Sequence, residues 1–192
     1  MDYLANNITD FFVEKKIIDN DMRDVYKYGF ELLLADIVNF SLILIISILF
    51  RSLVSGLIFL LCFTTLRSFC GGYHAKTHNV CRLVMMCVFL SVLLCGTFSF
   101  IHSIVSVLTL NIISTVTIIL FAPVENKNKP LSDKKKLKNR RRSLFTVITY
   151  SCVSITLIIA GRNEGVIISL TLLIVSILII VEKINQGKEV AL

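Results

Sequence analysis

The chain has 192 residues, of which 55% are apolar, with a mean hydropathy of +0.81 and a formal net charge of +7. A soluble domain needs a polar coat, and this sequence has too few polar residues to make one. Continuous apolar runs near the roughly 20 residues that cross a bilayer as a helix replace the short alternating segments of a β-barrel. The composition therefore excludes a soluble protein and predicts an all-α integral membrane protein.

The N-terminal segment 1–29 is mostly polar, but its apolar residues at positions 4, 8, 11 and 12 share one helical face. This pattern predicts an amphipathic helix at the membrane interface, with a solvated tail as the alternative. No cleavable signal peptide is indicated, because the first 27 residues are mostly polar. The first span is therefore expected to direct its own insertion.

Residues 31–66 are predicted to form spans 1 and 2, joined by a very short turn at Arg51-Ser52. The second apolar stretch is short for a full crossing, so the helix is expected to extend to about Phe69 or to thin the bilayer. Asp36 lies near the start of span 1 and is interpreted as a residue of the interface. The alternative is a functional intramembrane carboxylate that partners a histidine.

A polar segment at 67–82 interrupts the apolar pattern, and residues 83–122 are again apolar. This second stretch is too long for one span. We therefore predict spans 3 and 4, with a break at 99–103, where His102 lies. Spans 5 and 6 are predicted within 143–181, and a short polar tail follows at 182–192.

A basic run lies in the segment 123–142, which is predicted to be a cytoplasmic loop. In a soluble protein such a run could bind nucleic acid. Between two membrane spans it is typical of a topology anchor and of a surface that binds anionic lipid. We therefore expect anionic lipid, and not nucleic acid, as its partner.

The distribution of positive charge predicts the orientation of the six spans. With the N-terminus inside the cell, all of the 20 Lys and Arg residues except Arg51 and Arg162 fall on the inner side. Both termini and the polar segment 67–82 are then cytoplasmic, in a multi-pass protein of the cell membrane. Cytoplasmic thiols stay reduced and can act as nucleophiles.

The polar segment 67–82 brings cysteines, histidines and cations together, which favours thiolate chemistry. Cys81 is the candidate nucleophile, although a buried, inert thiol is the commoner fate of a cysteine. His78, three residues away, could reach Cys81 on one helical turn. His74 could reach it only if the chain bends, which Gly71-Gly72 would allow. Spacing alone does not decide between the two histidines.

Zinc is a further alternative in this segment, because cysteine and histidine are the ligand types that zinc prefers. The four candidate ligands are Cys70, His74, His78 and Cys81. Their spacing is tighter than that of common zinc ligand pairs. No metal or other cofactor is therefore expected.

The segment from Arg67 through Gly71-Gly72-Tyr-His74-Ala, with a cysteine seven residues after the histidine, resembles the accessory gene regulator protein B (AgrB) family. The similarity extends over the whole chain, in its length, its amphipathic N-terminus, the order of its spans and its Ala-Pro-x5-Lys-Pro segment from position 122. Members of this family are membrane cysteine endopeptidases that process quorum-sensing propeptides in Gram-positive bacteria. The resemblance implies that His74 and Cys81 are the catalytic residues and gives no role to His78 or Cys70.

The resemblance also implies a mechanism and partners. Cys81 would attack a carbonyl of an AgrD-type propeptide, and the resulting thioester would allow an internal thiol or hydroxyl to close a thiolactone or lactone ring. Arg67, Gly71 and Gly72 would support the reaction, the glycines as oxyanion donors. A homodimer is compatible with the sequence. The acidic tail of the propeptide would bind basic residues of the segment 123–142, namely Lys127, Lys129, Lys134, Lys135 and Lys136.

Two other classes of function remain open at this stage. A small transporter or exporter would suit six spans with a few buried polar residues, but the sequence has no inverted repeat and few intramembrane charges. A non-catalytic membrane scaffold would tolerate replacement of Cys81. Both alternatives predict that a Cys81→Ala variant keeps its function.

Overall fold

The computed structural model describes residues 2–71, 78–124 and 132–190, with side chains throughout except those of 78, 79, 133 and 187–190. The described residues form seven α-helices and two short 3₁₀ turns. The helices are α1 (Asp2–Glu14), α2 (Arg23–Leu49), α3 (Leu53–Cys70), α4 (His78–Cys95), α5 (Ile104–Phe121), α6 (Asp133–Ile159) and α7 (Glu164–Val190), and the 3₁₀ turns are Asn20–Met22 and Ser99–His102.

Five helices of the described part are long and apolar enough to cross a membrane, which confirms the prediction of an all-α membrane protein. These candidate spans are Asn20–Leu49, Leu53–Cys70, Ile104–Phe121, Lys134–Ile159 and Glu164–Gln186. The remaining predicted span corresponds to α4, whose described apolar part, Val80–Cys95, is shorter. The predicted total of six therefore corresponds to five full-length candidates and one shorter apolar helix.

Two predicted boundaries agree with the structure, and one differs. Helix α3 continues to Cys70, as its short apolar core requires, and the 3₁₀ turn Ser99–His102 separates α4 from α5 where the break was expected. The basic run, in contrast, is not a loop from Asp133 onwards, because α6 begins there. Lys and Arg are good helix formers, so the helix continues beyond its apolar part into the polar region.

The first 46 residues form one compact unit, which contains α1 and most of α2. The expected N-terminal helix is present, and Leu4 and Phe11 are more than half exposed on it. Asp2 forms an ion pair with Lys27 at 2.7 Å. The hydrogen bond from the Lys27 ammonium holds the pKa of the Asp2 carboxyl below its usual value.

Residues 47–192 form the second unit, in which α7 packs against α3, α5 and α6. Small polar residues line these contacts, as is usual between membrane helices. The Ser154 hydroxyl lies 2.6 Å from that of Ser169 and donates to the carbonyl oxygen of Gly165 at 2.8 Å. A Cβ at Gly165 would collide with the Ser154 carbonyl, so α6 and α7 approach closely only because this position is a glycine.

Candidate active site

The C-terminal end of α3 is attached to the segment that follows α5. The backbone N–H of Val124 donates to the carbonyl oxygen of Cys70 at 2.9 Å, and Gly71 and Val124 form a parallel β-bridge. Gly71 has a φ of +73°, and a Cβ there would collide with the Val124 carbonyl oxygen. Both the conformation and the close approach therefore require glycine at this position.

This contact, which we call the Gly71–Val124 bridge, positions two predicted functional segments. The segment with Gly72 and His74 begins directly after Gly71, and the segment with Lys127 and Lys129 begins directly after Val124. Both segments therefore begin next to the Gly71–Val124 bridge. Those four predicted residues lie outside the described part of the chain, so their roles remain predictions.

Cys81 lies in the first turn of α4, next to a cation from α3. The Nη2 atom of Arg67 donates to the Cys81 sulfur at 3.7 Å, and the Arg67 guanidinium also lies 5.5 Å from the centre of the Phe63 ring. The Arg67 guanidinium thus places a positive charge beside the Cys81 sulfur in the first turn of α4. The predicted supporting residue and the predicted nucleophile are therefore in contact.

The six cysteines differ in their surroundings. Cys70 and Cys62 are buried in α3 with 0% and 1% exposure, whereas Cys81 is half-buried and open to a partner. Among the described side chains, Cys81 is the cysteine that accepts a hydrogen bond from a guanidinium. The zinc alternative would need the buried Cys70 together with His74 and His78, whose side chains are outside the described part.

The start of α6 adds positive charge at the same end of the second unit. Lys134, Lys135 and Lys136 are exposed on its first turns. Further along α6, the Arg142 guanidinium lies 5.5 Å from the centre of the Phe69 ring of α3, one residue before the buried Cys70. This cation–π contact places the end of the basic run beside the α3 terminus. Sequence reasoning did not single out Arg142 or Val124, since neither differs from its neighbours in any local pattern.

Asp36, the other carboxylate considered from the sequence, lies on α2 in the first unit and is exposed. No described contact gives it a histidine partner. Its assignment to the interface stays a prediction.

Comparisons with known proteins identify the family of this chain. The family model for Accessory gene regulator B matches residues 5–181, from α1 to α7. "Putative AgrB-like protein 2" of Clostridium perfringens (strain 13 / Type A) is 27% identical over 173 residues, which cover 84% of this chain and 81% of the relative. "Putative AgrB-like protein" of Clostridium perfringens (strain SM101 / Type A) is 29% identical over 158 residues, which cover 77% of this chain and 72% of the relative.

A third relative, "Protein FsrB" of Enterococcus faecalis (strain ATCC 47077 / OG1RF), is 32% identical over 87 residues, or 42% of this chain and 36% of the relative. No solved structure matches the chain significantly. The family match covers nearly all of the chain, including every helix and the polar segment with Cys81. The chain belongs to the AgrB family, whose members act with AgrD-type propeptides in the processing of quorum-sensing peptides.

Proposed function

We propose that this protein is a membrane-embedded cysteine endopeptidase that cleaves an AgrD-type propeptide, with Cys81 as nucleophile and His74 as general base. The observation that carries the proposal is the 3.7 Å hydrogen bond from Arg67 to the Cys81 sulfur. The contact supports the proposal because a cation beside the sulfur suits a cysteine that acts as a nucleophile.

The reaction begins when His74 takes the proton of Cys81. The thiolate forms a bond to a peptide carbonyl carbon on the C-terminal side of the ring-forming segment. The C–N bond then breaks, and the imidazolium of His74 returns its proton to the leaving amine. The products of this step are an acyl-enzyme thioester and a free C-terminal fragment.

The thioester keeps the acyl group activated for a second transfer. His74, now neutral, takes the proton of a cysteine thiol or serine hydroxyl of the bound propeptide, which attacks the thioester carbonyl carbon. The C–S bond to Cys81 breaks, a thiolactone or lactone ring closes, and His74 returns the proton to the Cys81 thiolate. Cyclisation competes with hydrolysis, so water must be kept from the thioester. The backbone N–H of Gly72 is the candidate donor to the oxyanion of both tetrahedral intermediates, because the N–H of Gly71, also predicted as a donor, already donates to the Arg67 carbonyl oxygen at 3.1 Å.

The basic start of α6 supports an electrostatic role in binding the substrate. Lys134, Lys135 and Lys136 are exposed at the end of the second unit that holds Cys81. An acidic propeptide tail bound there, and along Lys127 and Lys129, would place the peptide bond to be cleaved near the Gly71–Val124 bridge. The distribution of positive charge in the sequence supports our proposal that this end faces the cytoplasm in a protein of the cell membrane.

Co-expression with the cognate propeptide tests this function. We expect mass spectrometry to find the released C-terminal fragment with the wild type and with His78→Ala, but not with Cys81→Ala or His74→Ala. Cys152→Ala is the matched control, because this exposed thiol lies on α6, outside the polar segment 67–82. Release of the fragment by the Cys81→Ala variant would show that the peptidase assignment is wrong.

A further inference from the structure

A cavity of about 960 Å³ lies in the second unit at the opposite end of α3 from the candidate active site. It is bounded by the turn before α3, the end of α4 and the turn between α6 and α7. Its α3 residues are Leu53, Val54 and Ser55, whereas Arg67 lies near the other end of the helix. At a rise of about 1.5 Å per residue, roughly 20 Å of helix separates the two sites.

The lining of this cavity combines apolar and polar residues. Its apolar part includes Leu90, Leu93 and Leu94 of α4. Its polar part includes Arg51, His102 and Arg162 of the turns. A cavity with both kinds of lining suits an amphiphile better than a wholly polar or wholly apolar ligand.

Most polar groups at the cavity already have partners within the protein. Arg162 binds both carboxylate oxygens of Glu164, at 2.8 and 3.2 Å. The two ring nitrogens of His102 lie 3.0 Å from Asn163 Oδ1 and 2.9 Å from the Gly96 carbonyl oxygen. The imidazole thereby joins the end of α4 to the turn before α7, which preforms the cavity.

Arg51 is different, because no carboxylate of the described residues pairs with it. The ion pair of Arg162 with Glu164 is neutral as a unit, so Arg51 leaves one uncompensated positive charge at the cavity. This charge attracts an anion, and a guanidinium offers several donors to a phosphate or carboxylate.

Arg51 also has an uncommon backbone conformation. Its φ of +52° lies in the left-handed region that residues with a Cβ rarely adopt, and Lys16, with a φ of +55°, is the other described non-glycine residue there. The turn between α6 and α7 has a similar corner, with a φ of +73°, and there the residue is Gly161.

We propose that this cavity binds an anionic phospholipid, with its phosphate group at Arg51 and the first part of an acyl chain along Leu90, Leu93 and Leu94. The ends of membrane-spanning helices lie at the depth where a headgroup and the top of its acyl chains meet. The uncompensated charge selects a headgroup with a net negative charge over a zwitterionic one. This site is separate from the basic start of α6 and does not depend on the peptidase activity.

Photo-crosslinking tests the proposal with the full-length protein in neutral detergent. The probe is phosphatidylglycerol that carries a diazirine at the top of one acyl chain, and the crosslinked peptides are mapped by mass spectrometry. We expect saturable crosslinks to the peptides that contain Leu93 and Ile167. Phosphatidylcholine with the same chains should label these peptides about tenfold less well, because its choline ammonium offsets the charge of the phosphate that Arg51 attracts.

Variants at two positions, Arg51 and Leu93, separate the charge from the shape of the cavity. Arg51→Gln should reduce the phosphatidylglycerol crosslinks about tenfold, and Arg51→Lys should retain most of them. Leu93→Trp should remove them by filling the apolar side. Crosslinks to the peptides at the start of α6 serve as an internal control for folding, since none of these variants changes that end.

Three results would overturn the proposal. One is equal labelling of the cavity peptides by phosphatidylcholine and phosphatidylglycerol. Another is unchanged labelling in both Arg51→Gln and Leu93→Trp. The third is loss of labelling on addition of millimolar inorganic phosphate, because the site would then hold a free anion rather than a lipid.

Discussion

Val124 donates its backbone N–H to the carbonyl oxygen of Cys70 at 2.9 Å, across 54 positions of sequence, and pairs with Gly71 in a parallel bridge. The bridge joins the end of α3 to the segment after α5 directly before the two segments that were predicted to hold His74 and the loop lysines. A shift at this point would displace both segments together. We therefore expect the bridge to act as a positioning element for the proposed reaction.

Replacing Val124 by proline removes the N–H donor of the bridge. The loss of one backbone hydrogen bond is worth about 1 kcal/mol, so we expect propeptide cleavage to slow about fivefold. Val124→Ala keeps the N–H and should cleave nearly as the wild type does. The measurement is the initial rate of fragment release in membranes. Equal damage from alanine and proline would show that the Val124 side chain matters rather than its hydrogen bond.

Gly71→Ala tests the close approach of the bridge against a matched glycine. Gly71 and Gly161 share a φ of +73°, but a Cβ at Gly161 would meet nothing within 4 Å, whereas at Gly71 it would collide with the Val124 carbonyl. Both alanine variants carry the conformational cost of about 1 kcal/mol. We expect both variants to lose stability, but only Gly71→Ala to lose propeptide cleavage. Thermal unfolding in detergent measures the stability of both alanine variants, and fragment release measures their activity. Equal loss of activity in Gly71→Ala and Gly161→Ala would argue against a role for the bridge.

Arg67 should control the reactivity of the Cys81 sulfur. A hydrogen bond to a charged group contributes about 1.5–3 kcal/mol, so Arg67→Gln should slow alkylation of Cys81 by iodoacetamide at neutral pH by about tenfold or more. Arg67→Lys keeps the positive charge, so the alkylation rate of Cys81 should fall less in this variant. The labelling rate of each cysteine is measured by peptide mass spectrometry. Cys87 and Cys152, which are exposed and distant in sequence from Arg67, should label at unchanged rates. An unchanged rate at Cys81 in Arg67→Gln would remove Arg67 from the mechanism.

The basic start of α6 should contribute to substrate binding through long-range attraction. Replacing Lys134, Lys135 and Lys136 by glutamine should raise the propeptide concentration needed for half-maximal cleavage several-fold while leaving membrane insertion intact. Binding of the propeptide to the wild type should also weaken as the salt concentration rises. Binding to the variant should depend less on salt.

A control with the same change of charge replaces Lys15, Lys16 and Lys183, which are also exposed. This control should cleave as the wild type does. If it loses as much activity as the α6 variant, net charge rather than the position of the lysines explains the effect.

Much of the fold could be predicted from local patterns, because the bilayer requires long apolar helices. The expected end of α3 near Phe69 and the break around His102 both appear in the structure. The prediction of a loop as far as residue 142 was wrong for a physical reason. A basic run lacks the apolar periodicity that signals a helix, yet its residues have good helix propensity, and α6 extends through it to Asp133.

The sequence by itself determined the membrane class, the approximate spans and the concentration of reactive residues in 67–82, since hydropathy and composition are properties of neighbouring residues. Only the tertiary structure decided that Arg67 reaches Cys81, that Val124 holds the end of α3, and that Arg51 borders a cavity with Leu93. These contacts join the ends of different helices. Such proximity depends on how helices pack, which no local pattern of residues specifies.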